Sequence, residues 1–282
     1  MAVWSWGEPT ATRAVVCVHG LSRQGRDFDL LASALIASSA EPLRVVCPDV
    51  AGRGRSDWLA DPLRYQLPTY AGDMLALLAW LHAQAPLRSF DWVGTSMGGL
   101  IGMAIAGSSG LPLPAPLRRL VLNDVGPAIE WAALQRIGTY LGKDPVFGTR
   151  EEAQQALWRI SGGFGPHTPA QWQALCEPML KRAAGGGFSL HYDPAIAVPF
   201  HALTEEAATQ GQAGLWQLYD AITARTLLLR GEQSDLLSHD TALRMTQRGP
   251  RPRLVEFAGV GHAPTLVAAD QIAAVHSFLQ DD

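Results

Sequence analysis

No basic run, no uninterrupted apolar stretch of membrane-spanning length and no pair of cysteines at metal or redox spacing occurs in this 282-residue chain. Each absence removes a class of function. With a formal net charge of −4 and no cluster of Lys or Arg, the chain offers no footprint for a nucleic acid or an anionic membrane. A membrane-spanning helix needs roughly 18 apolar residues in a row, and none is found. Nor does a basic segment followed by an apolar one open the chain, so a cytoplasmic protein is expected. The three cysteines agree. Cys17 and Cys47 lie in apolar strand-like runs and Cys176 stands alone in a helical segment, which reads as buried free thiols. A dinucleotide is also disfavoured. The glycines of Gly52-Arg53-Gly54-Arg55 lack the G-x-G-x-x-G spacing, and no helix starts where a pyrophosphate would need one.

What is present is enough apolar residue, 48% against 17% charged, to bury a large core as one domain with an insertion, or as two domains. Ala14 to Val18 is a short continuous apolar run, and Leu43 to Cys47, Phe90 to Val93, Arg119 to Asn123 and Thr226 to Arg230 read as further strands of mostly apolar residues. Such runs mark strands covered on both faces of a parallel sheet. Between them, Leu67 to His82 reads as a helix whose Met74, Leu77, Leu78 and Leu81 form an apolar stripe. From Pro127 to Ala224 the texture changes to helical segments (129–140, 151–160, 169–183 and 211–222) separated by Gly/Pro breaks. This reads as a helical cap inserted into an α/β core, with the core in residues 1–126 and 225–282 and the cap in 127–224. Trp131, Trp158, Trp172 and Trp216 lie in that cap and could roof a site.

Gly94-Thr95-Ser96-Met97-Gly98 fills the G-x-S-x-G pattern where the third strand-like segment meets a helix. It reads as a nucleophile elbow, a turn tight enough to strain the serine backbone, with small residues making room on either side. Ser96 would then present its hydroxyl at a helix N-terminus. Directly after the first buried strand, His19-Gly20-Leu21 can aim the Leu21 N–H at the same place, so Leu21 and Met97 are the expected oxyanion-hole pair. His19 itself is expected to prop the loop rather than act as a base. Arg23 and Arg26 follow in a polar loop. Their guanidinium forks could meet a substrate carboxylate at the pocket edge.

Two later loops supply partners for Ser96. Asp235 follows the strand 226–230 and His262 follows the strand 253–257, each at the strand's C-terminal end, which gives the chain order serine, acid, histidine. His262 would take the Ser96 proton and Asp235 would orient the imidazole. Asp124, just past the strand 119–123, stands as the alternative acid. It is expected instead to brace the start of the insertion through loop amides.

With these parts in order, the chain resembles the α/β-hydrolase family. The resemblance rests on His19-Gly20, on the turn 52–57, on Gly94 to Gly99, on Arg230 to Asp235 and on Gly261-His262. It implies a mostly parallel eight-stranded sheet with helices on both faces, a cap after strand six, and a hydrolase that needs no cofactor or metal. The function it implies is cleavage of a small to medium carboxylic ester or lactone through an acyl-enzyme on Ser96. Hydrolysis of carbon–carbon bonds in vinylogous diketone acids is the alternative, and a non-catalytic receptor on the same fold is a third reading. The expected partner is a small-molecule substrate, with the protein as a monomer or homodimer.

Overall fold

The computed structural model describes residues 1–280. The chain begins with β1 (Val3–Gly7), β2 (Arg13–Val18), α1 (Asp29–Ser38) and β3 (Arg44–Pro48). It continues with α2 (Leu67–Gln84), β4 (Ser89–Thr95), α3 (Met97–Gly107) and β5 (Leu117–Asn123). The insertion carries α4 (Trp131–Gly138), α5 (Arg150–Ser161), α6 (Pro169–Cys176), β6 (Leu180–Arg182), β7 (Phe188–Leu190), α7 (Ala197–His201) and α8 (Glu205–Asp220). The chain then completes its core with β8 (Arg225–Gly231), α9 (His239–Thr246), β9 (Arg253–Phe257) and α10 (Ala269–Gln280).

Seven strands form the main sheet among the described residues, in the order β1-β3-β2-β4-β5-β8-β9. All neighbours are parallel except β1, which runs antiparallel to β3. The expected count of eight is thus corrected to seven. β1 carries no continuous apolar run because it is an edge strand, and its residues are half-buried or exposed.

The apolar runs follow from a sheet covered on both sides. Along β2, Val15 and Cys17 join one core with Leu31 and Leu35 of α1 and Val275 and Phe278 of α10. Ala14, Val16 and Val18 point the other way, into a second core with Met74 and Leu78 of α2 and Ile101 of α3. Successive side chains alternate between faces, so a strand covered on both is apolar along most of its length.

The insertion leaves after β5 and returns at β8, strands that are neighbours in the sheet, so it sits above their C-terminal ends. It is not wholly helical. The helix expected over 169–183 ends at Cys176, where Pro178 cannot supply the N–H that would continue it. The chain then forms a β6–β7 hairpin that pairs Leu180 with Leu190 and Arg182 with Phe188. The hairpin is joined to the loop after β3: the Gly54 N–H donates to His191 O at 2.9 Å and the Asp193 N–H to Gly52 O at 2.7 Å. α8 runs back along α3 of the core. No helix among the described residues is long and apolar enough to cross a membrane.

Candidate active site

Ser96 lies between β4 and α3 with φ 51° and ψ −115°, in the left-handed half of backbone space that costs a non-glycine residue on the order of 1–3 kcal/mol. The fold holds it there. A Cβ on Gly98 would come within 1.9 Å of Val18 O, and one on Gly94 within 2.3 Å of Gly98 O. The turn can therefore close only with glycine at both places. The Ser96 N–H donates to Asn123 O at 2.9 Å, and the Asn123 amide donates to Thr95 Oγ1 at 2.9 Å and to Pro264 O at 2.8 Å. One side chain thus ties the serine turn to the loop that carries His262.

His262 lies across from the serine, its side chain 10% exposed. The Ser96 hydroxyl and His262 Nε2 are 3.0 Å apart, and His262 Nδ1 is 2.7 Å from Asp124 Oδ2. Asp124 is fully buried. Its backbone is left-handed as well (φ 55°), a conformation that aspartate tolerates better than most residues, and this turns the carboxylate inward. There Oδ1 accepts the Gly231 N–H at 2.9 Å, and Oδ2 also accepts the Ser234 hydroxyl at 2.6 Å. Three donors hold the carboxylate that faces the imidazole.

Asp235, the acid expected from the sequence, is not in this chain of hydrogen bonds. It turns away to accept Arg136 Nε at 2.6 Å and Nη2 at 2.8 Å, and its side chain is 46% exposed. Partial burial pulls its carboxyl pKa upward, but the Arg136 hydrogen bonds and charge outweigh that and leave it below the ordinary value. The structure brings Asp124 to His262 in its place.

The expected carboxylate clamp is also corrected. Arg23 is held by Asp27 at 2.7 and 2.6 Å and reaches Leu175 O of α6 at 3.1 Å, while Arg26 is paired with Asp29 and stacks on Trp4. Neither lines the cavity over Ser96. Their charges are spent on near neighbours in sequence, so both brace the loop. His19 props it from beneath, as expected. The ring is fully buried, Nδ1 donates to Gly20 O at 2.7 Å and Nε2 accepts the Val50 N–H at 3.0 Å. Burial takes its pKa down to about 3.

Leu21 and Met97 lie at the floor of a cavity of about 770 Å³, with Ser96 between them. Among the described residues, neither amide is hydrogen-bonded to another backbone group, which leaves both N–H groups open to an oxygen of a bound substrate. Tyr65 and Tyr70 wall one side, Ile137 of α4 another, and Phe200, Leu203 and Leu215 form the roof. No carboxylate or cationic side chain lines this space among the described residues. None of Trp131, Trp158, Trp172 and Trp216 of the insertion does so either. Trp158 and Trp172 pack edge to face with centroids 4.9 Å apart, Trp216 lies beneath Arg244 and Arg248, and Trp131 lines a separate pocket of about 170 Å³. The two tyrosines went unnoticed in the sequence because they sit outside any motif. The Leu-Pro-Thr-Tyr start of α2 is the signal that could have placed Tyr70 at a helix mouth facing the site.

Residues 15–275 match the family described as the alpha/beta hydrolase family. The chain belongs to that family. It is 50% identical over 281 residues to a 3-hydroxybutyrate-oligomer hydrolase of Cupriavidus necator, a match that covers 99% of this chain and 92% of the relative. A pimeloyl-[acyl-carrier protein] methyl ester esterase of Stenotrophomonas maltophilia is 26% identical over 265 residues, covering 92% and 90%. Among solved structures, an alpha/beta hydrolase from Novosphingobium aromaticivorans superposes with a TM-score of 0.83 at 36% identity, covering 99% of this chain and 93% of that one. The family member described here is a serine ester hydrolase.

Proposed function

We propose that this enzyme hydrolyses the ester bonds of short 3-hydroxybutyrate oligomers, with Ser96, His262 and Asp124 as its catalytic residues and the Leu21 and Met97 amides as its oxyanion hole. The observation that carries the reading is the connected line Ser96, His262, Asp124 at the floor of a large neutral cavity. The 50% identity to an oligomer hydrolase supplies the substrate. His262 Nε2 accepts the proton as Ser96 Oγ attacks the ester carbonyl, and the oxyanion settles between the two amides. Asp124 steadies the imidazolium, which then protonates the departing alkoxide oxygen of the neighbouring unit so that it leaves as a hydroxyl. Water, deprotonated by the same histidine, releases the acid.

A volume of about 770 Å³ is in the range of sites that bury whole drug-sized ligands, about 300–1,000 Å³, so more than the scissile unit can enter. An apolar wall suits the methyl and methylene groups of such an oligomer. The free carboxylate end finds no cation here and is expected to stay at the mouth. The same feature disfavours vinylogous diketone acids, whose carboxylates would be desolvated without a partner. Residues 127–224 form the cap in this reading, and Cys17, Cys47 and Cys176, all free and buried, support a cytoplasmic setting.

The test is purified protein with the linear 3-hydroxybutyrate trimer and its methyl ester, products resolved by chromatography. Release of monomer and dimer is expected, with the methyl ester cleaved at least as fast as the acid. Ser96→Ala should lose at least about 10⁴ in rate with its fold intact. No cleavage of either trimer, alongside cleavage of simple esters, would rule out the oligomer as substrate.

A further inference from the structure

The turn Gly52-Arg53-Gly54 takes no part in the chemistry above, yet Arg53 is the charge that stands directly behind it. Its side chain is fully buried. Nε donates to Leu21 O at 2.7 Å, Nη1 to Ala51 O at 2.7 Å and to the Tyr70 hydroxyl at 2.9 Å, and Nη2 points at Met97 Sδ at 3.6 Å. The guanidinium also lies over the rings of Tyr70 and Tyr65, at 4.9 and 5.7 Å. Every one of these partners is neutral. Leu21, Met97, Tyr65 and Tyr70 all line the cavity, so the cation is one residue removed from the substrate on several sides while being sealed from it.

An arginine buried among neutral groups is costly, and three other largely buried arginines of this chain offset that cost with a carboxylate, while Arg44 is held by the Pro9, Leu81 and Ala85 carbonyls far from the site. Arg13 has Asp91, Arg23 has Asp27 and Arg230 has Glu256. Among the described residues Arg53 has no carboxylate within 4 Å. Asp193, whose charge reaches Arg53, is occupied by the Tyr65 hydroxyl at 2.5 Å. A close carboxylate would cancel the positive charge. Leaving it solvated by carbonyl and hydroxyl dipoles keeps its field alive in a site where charges act over longer distances than in water.

We propose that Arg53 is a positioning residue of the oxyanion hole, which fixes Leu21 through its carbonyl and adds a buried positive charge that stabilises the tetrahedral oxyanion more than the neutral ester. The proposal rests on the ester-hydrolase reading. The ground-state ester carries no charge for Arg53 to favour, whereas the oxyanion does, so the effect belongs to the transition state. His19, also buried in this corner, is held neutral by its burial and by Arg53. It therefore adds no second cation.

The experiment compares wild type, Arg53→Gln and Arg53→Lys on p-nitrophenyl butyrate, with active sites counted by an organophosphonate. Affinity for a trifluoromethyl ketone, which becomes an oxyanion on Ser96, is measured against that for the matching methyl ketone. Arg53→Gln is expected to lower kcat and the acylation rate by about ten- to a hundredfold, less than the 10²–10³ for deleting an oxyanion donor, with KM unchanged. The trifluoromethyl ketone preference should fall in parallel. Arg53→Lys keeps the charge and should recover most of both. Equal losses in the two variants, a loss carried by KM, or an unchanged kcat in Arg53→Gln would overturn the proposal. If Arg53→Gln does not fold, Arg53→Lys decides alone. A folded Arg53→Lys with the ketone preference retained supports the charge, and one with that preference lost overturns it. A wild type that turns over no ester overturns the reading beneath, and a wild type that does so beside an unimpaired Arg53→Gln overturns only the role of Arg53.

Discussion

Ser234 and His262 share one oxygen of Asp124: the serine hydroxyl donates to Oδ2 at 2.6 Å and the imidazole Nδ1 meets the same atom at 2.7 Å. The side chain that the loop 231–235 brings to Asp124 is that of Ser234. The aspartate next to it faces the other way.

That geometry ranks the two acids. Asp124→Asn is expected to lower kcat/KM on the order of 10⁴-fold, because an amide favours the wrong imidazole tautomer. Asp235→Asn, outside the hydrogen-bonded line, should stay within about tenfold of wild type. Both variants would be assayed on an activated ester after confirming equal unfolding midpoints. The opposite ranking would return the acid to Asp235.

Ser234→Ala tests how the carboxylate is held. Loss of a buried hydrogen bond to a charged group costs about 1.5–3 kcal/mol, and Asp124 would keep only the Gly231 N–H and His262 as donors. We expect a lower denaturation midpoint and, with about 1.4 kcal/mol of that loss felt in the transition state, roughly tenfold in kcat at unchanged KM. A destabilised variant with wild-type kcat would make Ser234 part of the loop frame alone.

His19 gives a pH dependence with a defined sign. Its pKa falls from 6.5 in the unfolded chain to about 3 in the folded one, so below pH 6.5 the unfolded state binds a proton that the native state refuses. Stability from this group is complete above pH 6.5 and is lost as pH falls from there toward 3, at up to about 1.4 kcal/mol per pH unit for one proton. His19→Gln should flatten the stability curve between pH 6 and 4 by up to that slope. Parallel urea-denaturation curves for the two proteins across this window would remove His19 as a source of acid sensitivity.

Arg136 and Asp235 join α4 to the loop after β8, and Leu134, Ile137 and Leu236 beside them line the cavity. Both side chains are over a third exposed, so the pair is worth about 0–1 kcal/mol. Arg136→Ala should shift Tm by no more than roughly 2–4 °C and should make stability less sensitive to salt. A larger drop, insensitive to ionic strength, would mean that the arginine contributes through packing.

Much of this site is legible in the chain because its chemistry is written locally. Ser96 sits in a five-residue pattern whose glycines have one steric solution, and His262 follows a strand end. The acid is different. β5 and β8 are adjacent and in register, Asn123 opposite Leu229, so carboxylates after either strand reach the same edge of the sheet. What separates them is the left-handed turn at Asp124 and the donors from Gly231 and Ser234, contacts made across 107 and 110 residues. No local pattern encodes those. The arginines misled for a related reason: a fork placed beside a pocket by sequence is free only if no acid lies within a turn of it, and Asp27 and Asp29 do. The β6–β7 hairpin escaped because three-residue strands show no periodicity, and its Gly185-Gly186-Gly187 turn reads equally well as a break between helices.

The stitching of that hairpin to the loop after β3 makes the insertion unequal from end to end. The Gly54 and Asp193 amides bond across the seam, and Tyr65 reaches Asp193 over it. At the other end, residues 201–214 are almost wholly exposed, and Gly211 and Gly214 each cost α8 about 1 kcal/mol relative to alanine. Amides at the seam should therefore exchange with deuterium as late as the sheet, while those of 201–214 exchange early. Substrate and product would then pass over the α7–α8 corner, past Leu203, by local fraying of one helix while the rest of the insertion stays seated.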